Sequence, residues 1–158
     1  MSQSFRYRLR VRYAECDAQK VVFNVHYGHY VDLATLEFFR ALGFEKLLVN
    51  GPIDYQLVKQ TVEWKTSARF DQVLEISVRP NHLGTTSLSF HVEFRIAGDK
   101  AVIATAETIY VLVDAETLQK TPLPGDFRSA LSGGGSGLLV DHADSTPRSA
   151  DAPSQADK

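Results

Sequence analysis

The chain is short of the residues that several common designs require. Its 158 residues include a single cysteine, Cys16. That excludes an intramolecular disulfide framework and any zinc site built from a cysteine cluster. Neither sign of charge dominates, since 17 basic and 19 acidic residues leave a formal charge of −2. No global positive field therefore favours nucleic acid. No apolar run approaches the roughly 20 residues a membrane-spanning helix needs. Residues 1–6 lack the apolar core of a secretory signal. These absences make the cytoplasm the expected compartment, with no membrane and no nucleic-acid partner. What is present, 44% hydrophobic and 23% charged, is the composition of one ordinary globular domain.

The hydrophobic pattern divides the chain. Phe5, Tyr7, Leu9, Val11 and Tyr13 alternate with Arg6, Arg8, Arg10 and Arg12, the period of a half-buried strand. The arginine row reads as a solvated face that discourages edge pairing; no aromatic residue interleaves with it to stack bases. From His26 to Leu42 the period changes. Tyr27, Tyr30, Val31, Ala34, Phe38 and Ala41 recur at helical spacing, and Leu33, Leu36, Phe39 and Leu42 widen the apolar surface, so the helix is expected to be mostly buried. Asn24 is the expected N-cap and Gly43 the left-handed residue at the exit. Glu37 and Arg40 are spaced to pair.

Only strands follow. Val58, Val62 and Trp64 alternate with Lys59, Glu63 and Lys65; Leu74, Ile76 and Val78 with Glu75, Ser77 and Arg79; and Leu88 to Ile96 with Ser87 to Arg95. Gly98-Asp99 is a hairpin turn. Residues 101–113 are apolar on both faces, which predicts a strand covered on both sides. One helix cannot cover both faces of a flat sheet. The expected architecture is α+β: a five-stranded antiparallel sheet curled round one long buried helix, its outer face left for oligomerisation. The composition changes near Arg128. Residues 129–158 are rich in Ser, Gly, Ala and Asp, and the run 132–137 reads as a flexible linker. The domain is expected to span 1–128 and the remainder to be a flexible tail, with Leu138-Leu139-Val140 able to dock weakly.

Chemistry concentrates between the first strand and the helix. Glu15, Cys16 and Asp17 precede a helix start, where unpaired N–H groups and a partial positive charge gather. Such a place can polarise a carbonyl oxygen, and a carboxylate facing it can act as general base or nucleophile. Acidic residues in this position are also ordinary caps, so spacing alone leaves both readings open. Cys16 has no histidine placed beside it and reads as a small, partly buried residue. His26 and His29 share a helix face but have no third ligand at a recognisable spacing, so no metal is expected. Asp32 reads as a polar position on a buried helix, and Tyr55 and Trp64 as packing residues.

The run Tyr13-x-Glu15-x-Asp17-x5-Phe23-Asn24-x2-Tyr27-x2-Tyr30-x6-Glu37-x2-Arg40 resembles the signature of hotdog-fold acyl-CoA thioesterases of the 4-hydroxybenzoyl-CoA thioesterase type. Residues 68–74, 83–90, 113–114 and 121–124 are similar, in order, to later segments of that family. The resemblance implies a hotdog fold and hydrolysis of an acyl-CoA to free acid and CoA. It implies Asp17 as the catalytic carboxylate, and Asn24 with Val25 as backbone donors to the thioester carbonyl. Phe23 and Tyr27 would lie near the acyl pocket, and a partner subunit would bring its 58–66 segment, beginning at Val58, as the second wall. Arg69, Arg79 and His82 are candidates for CoA phosphates, Arg69 foremost. The family implies no cofactor beyond CoA as part of the substrate, and a homodimer assembling into a homotetramer. Departures from the pattern are Glu15 where many relatives have Asp, Cys16 where Thr or Met is common, and Gln19 and Lys20 where the loop often has Gly. Two other readings share the architecture. One is a module that binds acyl-CoA or acyl carrier protein without turnover; the other is an enoyl-CoA hydratase or dehydratase, which needs a His paired with a carboxylate.

Overall fold

The computed structural model describes residues 4–144. Strand β1 (Phe5–Arg10) leads through a short 3-10 turn (Tyr13–Glu15) and a tight loop into helix α1 (His26–Ala41). Helix α2 (Glu45–Leu48) then precedes strands β2 (Ile53–Trp64), β3 (Val73–Leu83), β4 (Ser87–Ile96) and β5 (Val102–Asp114). Helix α3 (Gly125–Ser132) and strand β6 (Leu139–Asp141) close the described chain.

The strands form one sheet in the order β2-β5-β4-β3-β1-β6. Its five long strands pair antiparallel, whereas β6 runs parallel to β1. The sheet is thus six-stranded, not five-stranded as expected. The register lines up Tyr7, Ile76, Phe94, Ala104 and Trp64 in one row, and Phe5, Val78, Val92, Ala106 and Val62 in the next. Helix α1 lies on this face. It buries Tyr27, Tyr30, Val31, Ala34, Phe38 and Phe39, none more than 1% exposed. For Val31, Phe38 and Phe39 that burial is worth about 1.5–3 kcal/mol each. The rings of Phe38 and Phe39 sit 5.6 and 5.8 Å from Phe90, so helix and sheet interlock rather than merely touch.

Several local expectations change. The first strand ends at Arg10, and Tyr13 turns outward at 77% exposed, because the 3-10 turn breaks the alternation. Val25, not Asn24, occupies the N-cap of α1, without a side-chain cap bond. Leu33 is 41% exposed and Ala41 is also exposed, so one stripe of α1 is open. Strand β5 is buried where Ala104, Ala106, Thr108, Tyr110 and Leu112 face α1; on its other face Ile103 and Val113 are buried at its ends, but Glu107 between them is exposed. Gly43 does hold the left-handed exit, at φ +87°. Arg40 donates to the buried Glu37 carboxylate at 2.7 Å.

The expected boundary after Arg128 falls inside α3. Phe127 and Leu131 are fully buried, and Phe127 packs 5.5 Å from Phe39 and 5.0 Å from Phe44. The glycine run is not a free linker. Gly134, Gly135 and Gly137 hold left-handed backbone (φ +68°, +58° and +78°). That conformation turns the chain back onto the sheet edge, where β6 pairs with β1. The tail expected from 129 is therefore packed as far as 144; residues 145–158 lie outside the described range. The arginine row is matched by acids: Arg8 with Glu75 at 2.7 Å and Asp141 at 3.9 Å, Arg10 with Asp71 at 3.5 Å, and Arg12 with Glu15 at 3.1 Å. Among the described residues no helix is long and apolar enough to cross a membrane.

Candidate active site

The loop between β1 and α1 is a small hairpin. Cys16 bridges Val22, the Asp17 N–H donates to Val21 O, and the Lys20 N–H returns to Asp17 O, both at 2.9 Å. The turn forces Lys20 to φ +60°, a left-handed conformation costing an L-residue about 1–2 kcal/mol. A second layer fixes the loop to the body. Val21 bridges Arg69, the Val22 N–H donates to Ala68 O at 2.9 Å, and the Ala68 N–H donates to the Tyr27 hydroxyl at 3.2 Å. Tyr27 is thus a wedge between α1 and the 66–72 loop. Burial pushes its hydroxyl pKa up, against the opposing bond from Ala68.

These contacts create a cleft of about 340 Å³ lined by Asp17, Gln19, Val21, Val22, Phe23, Asn24, Tyr27, Trp64 and Ser67. Of the seven residues singled out from sequence, the fold brings Asp17, Phe23, Asn24 and Tyr27 to it. Asp17 is exposed. One carboxylate oxygen, Oδ1, accepts from the Gln19 N–H at 2.8 Å, which orients the group and leaves the other oxygen for chemistry. Trp64 comes from the far edge of the sheet, in T-shaped contact with Tyr27 at 5.9 Å. The first turn beyond is loosely bonded, with Tyr27 N–H to Asn24 O and Gly28 N–H to Val25 O both at 3.3 Å. Among the described residues, neither the Asn24 nor the Val25 N–H finds a protein acceptor. Open donors at a helix start beside an oriented carboxylate can polarise a carbonyl while it is attacked.

The other three residues stand elsewhere. Val25 is 55% exposed and does not line the cleft. Val58 is 58% exposed on the outermost strand. It is the extra residue of a bulge, since Leu57 pairs with Tyr110 and Lys59 with the next residue, Ile109. Arg69 is exposed, and its N–H donates to Gln72 Oε1 at 2.8 Å.

Sequence reasoning missed a larger groove, about 930 Å³, on the other side of the helix start. Arg12, Glu15, His26, His29, Asp32, Leu33, Tyr55 and Tyr110 contribute to its walls. The signal was present: His26, His29, Leu33 and Leu36 share helical spacing and mark the open stripe of α1. Desolvation pushes the Asp32 carboxyl up, with His29 opposing. Tyr110, deep beneath the groove, is pushed up to about 12 by burial. For Glu15 burial acts upward too, but hydrogen bonds from the Arg12 side chain and main chain outweigh it and hold the carboxyl low. Cys16 is partly exposed, and burial followed by the charges of Glu15 and Asp17 raises its thiol, the wrong direction for a nucleophile. Among the described residues no group of three or more His, Cys, Asp or Glu is placed to hold a metal ion.

Comparisons with known proteins bear on this geometry. Residues 11–131 match the thioesterase-like superfamily. The chain is 30% identical over 121 residues to the acyl-CoA thioester hydrolase YbgC of Escherichia coli O157:H7, covering 76% of this chain and 90% of that one. It is 24% identical over 123 residues to the 1,4-dihydroxy-2-naphthoyl-CoA hydrolase of Synechococcus elongatus, covering 76% and 89%. Among solved structures, the gentisyl-coenzyme A thioesterase BH1999 superposes with a TM-score of 0.72 at 26% identity, covering 80% and 98%.

Proposed function

This chain belongs to the thioesterase-like superfamily, and from that membership we infer that it is an acyl-CoA thioesterase of hotdog type. The relatives that carry the inference are thioester hydrolases acting on CoA esters. One observation carries the assignment of the chemistry: the Asp17 carboxylate and the start of α1 line the same cleft.

In this reading the thioester carbonyl sits between the two. The N–H of Asn24, which lines the cleft, takes the negative charge that develops on oxygen. Asp17 acts on the carbon side. As a general base it accepts a proton from water as the C–O bond forms, and the tetrahedral intermediate then expels the thiolate of CoA. As a nucleophile it forms a mixed anhydride that water opens. Both routes end in a free acid and a thiol, and neither needs a metal or redox cofactor; CoA is part of the substrate. Phe23, Tyr27 and Trp64 supply the apolar wall.

The reading includes a second copy. Strand β2 lies at the open end of the sheet and exposes Leu57, Val58 and Trp64. An edge with apolar side chains is a template for pairing, and a two-fold mate would bring its own 58–66 segment to the site. Dimers of this kind stack into a tetramer in our proposal.

The test is Asp17→Asn, assayed by free-thiol release from a panel of short, long and aromatic acyl-CoAs. Loss of about 10²–10⁴-fold in kcat with an unchanged unfolding curve is expected. Turnover within a few-fold of the parent would remove Asp17 from the mechanism. An enoyl-CoA hydration assay on the same samples separates thioester cleavage from chemistry on the acyl chain.

A further inference from the structure

We propose that Glu15 is a positioning residue for the reaction: its buried carboxylate fixes the strand that carries Asp17 and so sets Asp17 against the start of α1. The proposal rests on the thioesterase reading and deepens it. Among the described residues, Glu15 and Glu37 are the charged side chains that are buried, at 8% and 7% exposed. The chemistry assigned to Asp17 makes no direct use of either.

The ladder inside the loop comes first. Residues 15–17 run antiparallel to residues 21–23. The Phe23 N–H donates to Glu15 O at 3.0 Å, Cys16 bridges Val22, and the Asp17 N–H donates to Val21 O at 2.9 Å. Glu15 thus stands at the base of the ladder, level with Phe23 and next to Asn24, while Asp17 stands at its tip. The base is held by the Glu15 side chain. Oε1 accepts from the Arg12 N–H at 2.8 Å, and Oε2 accepts from the Arg12 guanidinium at 3.1 Å. Arg12 follows a fixed strand end, since the Val11 N–H donates to Gln72 O at 2.9 Å and Val11 O accepts from the Asp71 N–H at 3.1 Å. The carboxylate therefore ties the ladder to the sheet. Its neighbours add little to that tie. The Cys16 thiol makes a long contact with Arg12 O at 3.7 Å, and the Asp17 carboxylate bonds to the Gln19 N–H within its own turn.

Magnitude shows what the tie is worth. In extended backbone Asp17 stands about 7 Å beyond Glu15. A tilt of about 10° at Glu15 would then move Asp17 by roughly 1 Å, which can cost about 10²-fold in rate. Two charge-assisted bonds to one rigid neighbour oppose that tilt.

The test is Glu15→Gln, which keeps the size of the side chain and removes its charge. Glu37→Gln is the control. Glu37 is also buried and is paired with Arg40 at 2.7 Å, but it stands roughly 16 Å along α1 from His26. Both are assayed by thiol release from one acyl-CoA, under conditions where urea curves show each variant folded. Glu15→Gln is expected to lose about 10–10²-fold in kcat with KM within about twofold, and Glu37→Gln to stay within about twofold in both. In single turnovers of Asp17→Asn, adding Glu15→Gln should slow the residual rate by less than about twofold, because the two residues act as a unit. Equal kcat losses from the two glutamine variants, a loss carried by KM, or the same factor with and without Asp17 would make Glu15 merely structural and overturn the proposal. Should Glu15→Gln fail to fold, Arg12→Gln carries the same readouts from a side chain that is 75% exposed. A smaller loss in kcat is expected of it, and the parent's kcat would overturn the proposal. Hydrogen exchange reads the tie without turnover. The Asp17 and Phe23 amides should exchange faster in Glu15→Gln, relative to those of α1, and not in Glu37→Gln; unchanged exchange overturns the proposal. If the parent releases no thiol from any acyl-CoA, the thioesterase reading fails, and exchange still decides whether Glu15 holds the strand of Asp17.

Discussion

Alanine at Gly135 asks whether the chain beyond Arg128 is part of the folded body. Gly135 has φ +58°, and a Cβ there would stand 2.8 Å from Phe38 Cε2 and 3.1 Å from Phe5 Cβ. Phe5 and Phe38 are both fully buried, so neither can swing into solvent to make room. Two penalties add. Left-handed backbone costs an L-residue about 1–2 kcal/mol, and forcing a methyl into a packed core costs about 1–3 kcal/mol more. Gly134 is the internal control, with φ +68° and nothing within 4 Å of an added Cβ. Urea unfolding should therefore show Gly134→Ala weaker by about 1–2 kcal/mol and Gly135→Ala by about 2–5 kcal/mol. Thermal midpoints should follow at about 2–4 °C per kcal/mol for a domain of this size. The difference between the two variants isolates the contact with Phe5 and Phe38. Equal losses would mean that the glycine turn does not rest on those rings, and the packing described for residues 129–144 would be wrong.

Three other outcomes follow from the same structure. Glu15 ionises below its ordinary value of 4.5, so its stabilisation is complete above that pH and is lost as pH falls through the lower folded value. Glu15→Gln should weaken the protein at pH 7 and flatten the acid side of its stability curve; parallel curves for parent and variant would sink this account. Tyr27→Phe leaves the buried Ala68 N–H without its acceptor and should cost about 1–3 kcal/mol. It should also lower kcat/KM, because Ser67 and the Ala68 anchor shape the cleft; an unchanged urea midpoint would count against the wedge role. Val58→Glu puts a charge on the proposed pairing edge and should yield a monomer by light scattering, with reduced thiol release. A dimer of full activity would place the interface elsewhere.

Periodicity read the long elements well because they report burial directly. The alternation of Leu74, Ile76 and Val78, and the helical spacing of Tyr27, Tyr30, Val31, Ala34 and Phe38, are the marks of one face against a core, and those faces are buried. The reading failed where one residue breaks the period: at the 3-10 turn that expels Tyr13, and at the bulge that inserts Val58. It also failed where composition stood in for conformation. A Gly-Ser run looks like a linker, but glycines are equally what a left-handed return onto β1 requires.

Order along the chain determined that Asp17 would precede the helix and that a strand carrying Trp64 would follow it. Sequence alone therefore fixed which groups were available and, through the resemblance, what chemistry to expect of them. Only tertiary structure decided that Asp17, Asn24, Tyr27 and Trp64 share one cleft while Arg69 and Val58 do not. The reason is geometric. Trp64 reaches Tyr27 through a register running across β5, and a register is a property of paired strands, set by every contact along them at once, which no local stretch of residues contains.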